Sequence, residues 1–210
     1  MNNLVPIGLS GGIDSMSLLH YLINRTSYDP YALHFHHGDE YSQRVYELVK
    51  GYCKKLNIPI KVGYIQPINN PSEDYWRKER YKFFDEAVKG FNKPLLLAHH
   101  YTDQEVSYVT NCLKGSKRGF IPPVSYRREY EIHRPLHLIS KIEIKEYGRI
   151  NNLPYMEDPT NSTSQRGKIE EKIEELKLIV SQMEGAIKNK YIAYLHKNQF
   201  SCSPNIRTLL

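Results

Sequence analysis

Short apolar runs alternate with longer amphipathic stretches along the first half of the chain. The runs are rich in β-branched and aromatic residues and predict strands at 4–9, 30–35, 59–65 and 94–98. The stretches between them repeat apolar positions at helical spacing and predict helices at 15–25, 41–56, 73–89 and 103–114. Because these helices are long enough to serve as crossovers between parallel strands, the order indicates an α/β fold with a parallel sheet.

The pattern changes after Pro122 and Pro123. A short hairpin or loop is expected through Arg134, followed by a helix near 140–151 and an extended, turn-rich PYMEDPTNS segment. From Gln165 onward the chain is strongly charged and helical in pattern. We therefore expect a domain at 1–163 and a helical tail at 164–210.

Composition narrows the classes of protein. A chain of 210 residues suits one domain with an appendage, and no apolar run is long enough for a membrane span. With no basic and apolar leader pattern either, we expect a cytoplasmic protein without a membrane partner. The three cysteines lie far apart and indicate neither a disulfide framework nor a CxxC site. A net charge of +6 favours a polyanionic partner, although so small a surplus is also typical of solvation alone.

The stretch VPIGLSGGIDSMSLLHYL at 5–22 places Ser-Gly-Gly between a strand and a helix. Backbone N–H groups and the positive helix end would then converge on one spot, which suits a phosphate. The turn has no lysine of the GxxxxGK[ST] kind, while Asp14 adds a carboxylate, so the pattern favours a magnesium-bridged pyrophosphate. The alternative is an ordinary strand-to-helix turn capped by Ser10, Asp14 or Ser15.

SGGIDS resembles the loop of the PP-loop ATP pyrophosphatase superfamily, which grips ATP while a substrate is adenylated. Further motifs are similar, in the same order, to those of its tRNA(Ile) lysidine synthetase family. They are LHFHHG at 33–38, CKKLNIPI at 53–60, AHHYTDQEVSYVTNCLKGSKRGF at 98–120, RPL at 134–136, KIEI at 141–144 and EDPTNS at 157–162. The resemblance spans about residues 4 to 163.

This resemblance implies an adenine nucleotide alpha hydrolase-like domain that uses ATP and Mg²⁺. The implied substrates are lysine and an isoleucine tRNA with a CAU anticodon, in which C2 of a cytidine is adenylated before lysine displaces AMP. Asp14 is the candidate magnesium ligand and a catalytic residue. The candidate nucleotide-binding residues are Ser10, Gly11, Gly12, Asp14, Ser15, His34 and His99.

The chemistry needs a carboxylate near the reacting base, because the attacking amine must lose its proton near neutral pH. Asp103 is the candidate, since it follows the fourth predicted strand on the side where open α/β sheets bind ligands. It is equally suited to be the N-cap of helix 103–114. His99 and His100 are candidates for phosphate or nucleotide contact, or are hydrogen-bonded core residues.

Basic residues mixed with aromatic ones predict RNA contact. The candidates are Arg77, Arg80, Lys114, Lys117, Arg118 and Arg134. In SEDYWRKERYKFF the alternative is that Tyr75, Phe83 and Phe84 are core and the charges form a solvated face. His34, His36 and His37 lack a cysteine or carboxylate at ligand spacing, which disfavours zinc.

The chain departs from the family at several positions. Thr102 stands where the family has an acidic residue, and Gly167 and Glu170 replace the Asn and final Arg of its Arg-Asn-x-Ile-Arg segment. Only about 45 residues follow the motif region, so we expect no room for additional tRNA-binding domains. Three functions stay open: a lysidine-type ligase, another adenylating PP-loop ligase that joins an amine, or a non-catalytic nucleotide- or RNA-binding relative.

Apolar residues in the tail follow alternating spacings of four and three. They are Ile169, Ile173, Leu176, Val180, Met183, Ile187, Tyr191 and Tyr194. The spacing predicts one helix over 166–195, roughly 45 Å long. Either it folds back along the domain, or two tails pair in a homodimer whose second subunit supplies surface for tRNA.

Overall fold

The computed structural model describes residues 3–65, 72–117, 119–158, 164–180 and 182–200. Its elements are β1 (Leu4–Gly8), α1 (Ile13–Arg25), β2 (Asp29–His36), α2 (Glu40–Lys55), β3 (Ile60–Tyr64), α3 (Glu73–Ala87), β4 (Leu95–Leu96), α4 (Tyr101–Leu113), β5 (Val124–Arg127), β6 (Tyr130–His133), α5 (Lys141–Ile150), α6 (Gln165–Ile179) and α7 (Met183–Lys197). All four predicted strands and the four helices that follow them are present, and the segment before Arg134 is a hairpin.

Within the described residues, six strands form one sheet in the order β3-β2-β1-β4-β6-β5. Neighbouring strands are parallel except β5 and β6, which pair antiparallel. The predicted α/β class with a mostly parallel sheet is confirmed. Since β1 is central, its carboxyl end opens between those of β2 and β4.

The two faces of the sheet have separate apolar cores, because successive side chains of a strand point to opposite faces. Val5 and Ile7 of β1 pack with residues of α1, α2 and α5, including Ile144. Leu33 and Leu95 pack on the other face with Phe84 of α3. The helices α5 and α3 therefore lie on opposite sides of the sheet.

The tail forms two helices, so the prediction of one continuous helix over 166–195 is wrong. The first helix ends at Val180, whose backbone has φ −114° and ψ 83°. Of the predicted seam, Ile173, Ile187 and Tyr191 are buried, whereas Leu176 and Val180 are 44% and 48% exposed. A straight helix would hold all of these positions in one stripe, and the break lets α7 pack separately.

The second tail helix completes a third apolar cluster. Ile187, Tyr191 and Leu195 pack there with Tyr101 of α4 and with Phe120. This is the arrangement expected for a tail that folds back along its own domain. The division at residue 163 and the pairing of two tails in a homodimer stay predictions. Among the described residues, every helix falls short of the length and apolarity that crossing a bilayer requires.

Candidate active site

The Ser-Gly-Gly turn at residues 10–12, here called the phosphate loop, connects β1 to α1. Gly11 has φ +82°, a conformation that favours glycine, and a Cβ there would lie 2.4 Å from Cγ1 of Val45. Both the backbone conformation and this close contact disfavour a larger residue. The Ser10 and Ser15 hydroxyl oxygens are 3.0 Å apart and brace the turn from within. No side chain caps the α1 N-terminus, where Gly12 is the N-cap. The proposed capping by Ser10, Asp14 or Ser15 is therefore wrong, and the first N–H groups of α1 are left for an anion.

The phosphate loop opens into a cleft of about 920 Å³ at the carboxyl ends of the central strands. The cleft gathers most of the candidate nucleotide-binding residues, which line it together with Asp103. These are Ser10, Gly12, Asp14, Ser15, His34 and His99. Gly11 acts behind this wall by shaping the turn, and its carbonyl oxygen accepts a hydrogen bond from Met156 N at 3.0 Å.

The carboxylate of Asp14 is paired with Lys141, a residue that the sequence analysis did not single out. Lys141 Nζ donates to both Asp14 oxygens, at 2.6 and 2.7 Å. His100 Nε2 lies 3.6 Å from the same carboxylate. Lys141 is the first residue of α5 and of the KIEI motif, so the motif marked its segment but not its contact. A cation is therefore present at the phosphate loop even though the loop itself has none.

Asp103 is the third residue of α4, whose N-cap is His100, so the prediction that Asp103 is the N-cap is wrong. It is also a charged group of the cleft. Its Oδ2 accepts a hydrogen bond from His100 N at 2.7 Å, which forms the N-terminal capping box of α4. Its Oδ1 accepts one from Arg166 at the start of α6. Burial raises the cost of its charge, but His100 and Arg166 outweigh burial and lower the pKa of Asp103. Asp103 is thus an ionised carboxylate at neutral pH.

The two candidate nucleotide-binding histidines are neutral groups. Burial lowers the pKa of His34, whose Nδ1 lies 2.8 Å from the carbonyl oxygen of Leu9. Burial lowers the pKa of His99 to about 4. Within the described residues, His34 Nε2 and His99 Nδ1 have no hydrogen-bond partner. Neither ring therefore brings a positive charge to the cleft at pH 7.

The donor set of the cleft fits a magnesium ion held jointly with ATP. Mg²⁺ in such sites takes one or two carboxylates together with phosphate oxygens. Asp14 offers the oxygens at the phosphate loop, where it shares them with Lys141. Across the described parts of the chain, no three histidine, cysteine or acidic residues cluster as ligands of a metal ion held by protein alone.

The candidate RNA-binding residues are dispersed. Arg77 is exposed on α3, Arg80 lines the cleft, and Lys114 and Lys117 are exposed beyond the end of α4. Arg118 lies outside the described residues. Arg134 is only 6% exposed and donates from Nη1 to the carbonyl oxygen of Pro122 at 2.8 Å and to Ser125 Oγ at 3.0 Å. This placement gives Arg134 a structural role and removes it from the surface that RNA could contact.

A family model described as a PP-loop domain matches residues 1–173. The chain belongs to the PP-loop ATP pyrophosphatase family. ATP is the nucleotide that such a domain binds. The roles of the individual residues in the cleft stay predictions.

Two curated relatives show which PP-loop proteins the chain is similar to. A tRNA(Ile)-lysidine synthase of Staphylococcus aureus (strain COL) is 33% identical over 172 residues, covering 75% of this chain and 39% of the relative. A tRNA(Ile)-lysidine synthase of Clostridium perfringens (strain 13 / Type A) is 30% identical, with 96% of this chain and 45% of the relative covered. The chain thus spans less than half the length of these relatives.

The fold has a counterpart among solved structures. An NH3-dependent NAD synthetase from Campylobacter jejuni, in complex with the nitrate ion, matches with a TM-score of 0.53. Its sequence is 19% identical, and the match covers 98% of this chain and 90% of that chain. At this identity the likeness shows the fold alone.

One of the residues that differ from the lysidine synthetase family lies next to the cleft. Thr102, which stands where the lysidine synthetase family has an acidic residue, is buried, and its Oγ1 accepts a hydrogen bond from Lys141 N at 3.3 Å. Thr102 therefore ties the start of α4 to the start of α5, next to the residue that pairs with Asp14.

Proposed function

We propose that the chain is an ATP-dependent ligase that modifies tRNA by adenylating C2 of a cytidine and joining lysine to it. The observation that carries the proposal is the cleft, in which the phosphate loop, the Asp14–Lys141 pair and the Asp103–Arg166 pair face one space. Similarity to tRNA(Ile)-lysidine synthases supports an isoleucine tRNA as the RNA. The CAU anticodon is part of the proposal on the family resemblance of the sequence motifs alone. The reaction releases pyrophosphate and AMP.

In the first step the C2 oxygen of the cytidine attacks the α-phosphorus of ATP. An oxygen–phosphorus bond forms while the bond to the β-phosphate bridging oxygen breaks, and pyrophosphate takes the electron pair. The N–H groups of the phosphate loop and the N-terminus of α1 hold the phosphates, and Lys141 offsets their charge. When bound, Mg²⁺ supplies further neutralisation of the phosphate charge at Asp14.

In the second step the amine of lysine attacks C2. A carbon–nitrogen bond forms, the carbon–oxygen bond breaks, and AMP leaves with that oxygen. The amine must shed its proton, and the ionised carboxylate of Asp103 both attracts the lysine cation and lies in the cleft to receive a proton. Because Arg166 and His100 N also hold this carboxylate, its orientation is fixed before substrate arrives.

RNA is proposed to reach the cleft along exposed basic side chains. Arg77 lies on α3, which also carries the cleft residue Arg80. Lys114 and Lys117 extend the positive charge beyond the far end of α4. Lysines and arginines at such positions contact phosphates, which contributes affinity without reading sequence.

The test is incubation of the chain with ATP, lysine and tRNA, followed by measurement of pyrophosphate and of RNA mass. We expect pyrophosphate release over many turnovers that requires both lysine and tRNA, together with an RNA heavier by one lysine less one water. Release that instead requires another amine or another acceptor contradicts the proposal and indicates a different adenylating ligase. Binding of ATP and RNA without release would identify a non-catalytic relative.

A further inference from the structure

The tip of the β5–β6 hairpin carries two adjacent arginines held by one buried carboxylate of α3. Arg127 donates from Nε and Nη2 to the two oxygens of Asp85, at 2.7 and 2.9 Å. Arg128 Nε lies 3.1 Å from Asp85 Oδ2, and the Asp85 side chain is 3% exposed. Asp85 offsets one of the two cations, and the exposed acid Glu129 is the other residue of the turn. Asp85 therefore fixes the positions of Arg127 and Arg128 from below, next to one exposed acid.

The backbone of Arg128 is unusual for an arginine. Arg127 pairs with Tyr130, so Arg128 is the first of two residues in the turn, and its φ is +51°. Glycine or asparagine is favoured at such a position, because the left-handed conformation costs other residues roughly 1 to 2 kcal/mol. The chain instead places there a long cation whose side chain is 68% exposed. Folding of the hairpin alone does not require an arginine at this position.

The hairpin adjoins the cleft through Tyr81. The ring of Tyr81 lines the cleft, and the Arg127 guanidinium carbon lies 4.8 Å from its centroid. The guanidinium carbon of Arg77, one turn earlier on α3, lies 5.1 Å from the same centroid. Contact with an aromatic face leaves the cationic charge of both groups in place. The guanidinium groups of Arg77 and Arg127 thus connect the cleft residue Tyr81 to the hairpin.

Other cations of α3 are matched by acids on the same helix. Lys78 pairs with Asp74 at 2.7 Å, and Lys82 pairs with Glu79 at 2.5 Å. These exposed pairs cancel in charge and are typical of a solvated helix face. Arg77 departs from this pattern because its guanidinium lies on the Tyr81 ring, toward the hairpin. Arg77, Arg127 and Arg128 thus bring three positive charges to this face, against the two negative charges of Asp85 and Glu129.

We propose that Arg77, Arg127 and Arg128 form a phosphate-binding surface for RNA beside the cleft, here called the hairpin surface. The proposal rests on the proposed function, since the RNA is its substrate. A guanidinium presents paired N–H donors that match the oxygens of a phosphate, and a preorganised fork loses less entropy on binding. RNA held on the hairpin surface would present a neighbouring nucleotide to the cleft across Tyr81. An alternative role for these arginines is to prevent the edge strand β5 from pairing with another chain. That role would need only a charged residue, and not an arginine at positive φ.

The decisive variant is Arg128→Gly, because glycine suits the turn. We expect its thermal midpoint to equal or exceed that of the parent chain. We expect its dissociation constant for tRNA to rise about three-fold to ten-fold near 0.1 M salt, and the slope of log affinity against log salt to shrink by about 0.7 to 0.9. The matched control is Arg149→Gln. Arg149 is also exposed and paired with an acid, but it lies on α5, across the sheet. The control removes the same charge and should leave both RNA measurements unchanged.

Arg77→Gln provides a second test at an ordinary helical position and should lower RNA affinity by a similar factor. Unchanged affinity and salt slope in both variants overturn the hairpin surface, as does a parent chain that binds no RNA. The proposed function is judged separately, by lysine-dependent RNA mass in the parent chain. If that mass appears while both variants bind RNA normally, the function stands and the hairpin surface fails. If it does not appear while both variants lose affinity, the hairpin surface stands.

Discussion

Lys141 grips both carboxylate oxygens of Asp14 across 127 positions of sequence, at 2.6 and 2.7 Å from its Nζ. The pair places one positive and one negative group where the phosphate loop meets α1. It neutralises Asp14 in the free protein. We therefore predict that the start of α5 forms part of the ATP site, with Lys141 next to the triphosphate.

We expect Asp14→Ala and Ser10→Ala each to abolish detectable pyrophosphate release while the chain stays folded. The turn is set by Gly11 and the backbone, and Lys141 is exposed enough to be solvated once Asp14 is gone. Pyrophosphate release and the thermal midpoint are the measurements. Glu146→Ala, which removes an exposed acid elsewhere on α5, is the control and should release pyrophosphate normally. Normal release in both loop variants would show that the loop does not bind the triphosphate.

The two loop glycines should respond differently to alanine. Gly11→Ala meets both a φ of +82° and a Cβ contact of 2.4 Å with Val45, so we expect a loss of at least about 1 to 2 kcal/mol in unfolding free energy. At Gly12 the nearest heavy atom is Ser10 Oγ at 3.6 Å, and φ is −78°. Gly12→Ala should therefore stay within about 1 kcal/mol of the parent chain. Denaturant unfolding distinguishes them, and equal stabilities would contradict the loop geometry.

Asp103→Asn should slow product formation by about two or more powers of ten without loss of ATP affinity. The amide oxygen can still accept from His100 N and keep the α4 cap, but the negative charge toward Arg166 and lysine is lost. Single-turnover rates and ATP titrations make the comparison. Since the pKa of Asp103 is lowered, the parent rate should show no inflection from this group between about pH 5 and 8. Turnover at the parent rate would assign Asp103 to the cap alone.

Lys177→Met should destabilise the chain strongly at neutral pH. Lys177 Nζ lies 2.8 Å from Glu105 Oε2, and Glu105 is 1% exposed, so the variant buries an unpaired carboxylate. Removing one partner of such a pair costs roughly 3 to 5 kcal/mol. Lys172→Met, at an exposed pair on the same helix, should cost less than about 1 kcal/mol.

The stability lost in the Lys177→Met variant should depend on pH. Burial raises the pKa of Glu105 even with Lys177 present, and removal of the lysine raises it further. The folded variant therefore binds a proton more tightly than the unfolded chain. Its loss of unfolding free energy relative to the parent chain is small below the ordinary glutamate pKa and grows as pH rises. Adding Glu105→Gln should recover most of the loss. A deficit that is constant from pH 4 to 7 would contradict this account.

His137 should make the docking of α7 sensitive to acid. Its Nδ1 is hydrogen-bonded to the Tyr191 hydroxyl at 2.8 Å, and burial lowers its pKa to about 4. The stabilisation is therefore complete above the unfolded pKa near 6.5 and is lost as pH falls toward 4. From pH 7 to 5 we expect a loss of roughly 2 kcal/mol from this group. His137→Gln should flatten the slope of unfolding free energy against pH, and an unchanged slope would show that His137 is accessible to protons.

The sequence predicts the βα units well because the signals are local. Each strand and helix of the first half buries its own face, so apolar periodicity within a short window suffices. The tail behaves differently, because the break between α6 and α7 depends on tertiary packing. Ile187 and Tyr191 pack against Tyr101 and Phe120, which are distant in sequence. The a/d spacing of apolar residues in the tail therefore identifies some of the buried positions. It does not predict that the tail forms two helices.

The same limit applies to the site. The phosphate loop is visible as Ser-Gly-Gly after a strand, and Asp103 is visible at a strand end. The partners Lys141 and Arg166 come from helices that only the packed fold brings to the cleft. The sequence predicts that Arg134 contacts RNA, but in the folded chain it is buried and donates a hydrogen bond to the Pro122 carbonyl oxygen. Likewise, the Arg127 and Arg128 surface depends on Asp85, 42 positions before Arg127.

The link from Met156 N to the Gly11 carbonyl has a consequence for how the protein is made. The phosphate loop leaves the ribosome well before Lys141, Met156 and Arg166, which fix the groups around it. At 5 to 20 residues per second, roughly 10 to 30 s pass before they emerge. In a nascent chain the cleft is therefore unfinished until Arg166 has emerged, and we expect ATP to stabilise the domain only after that point.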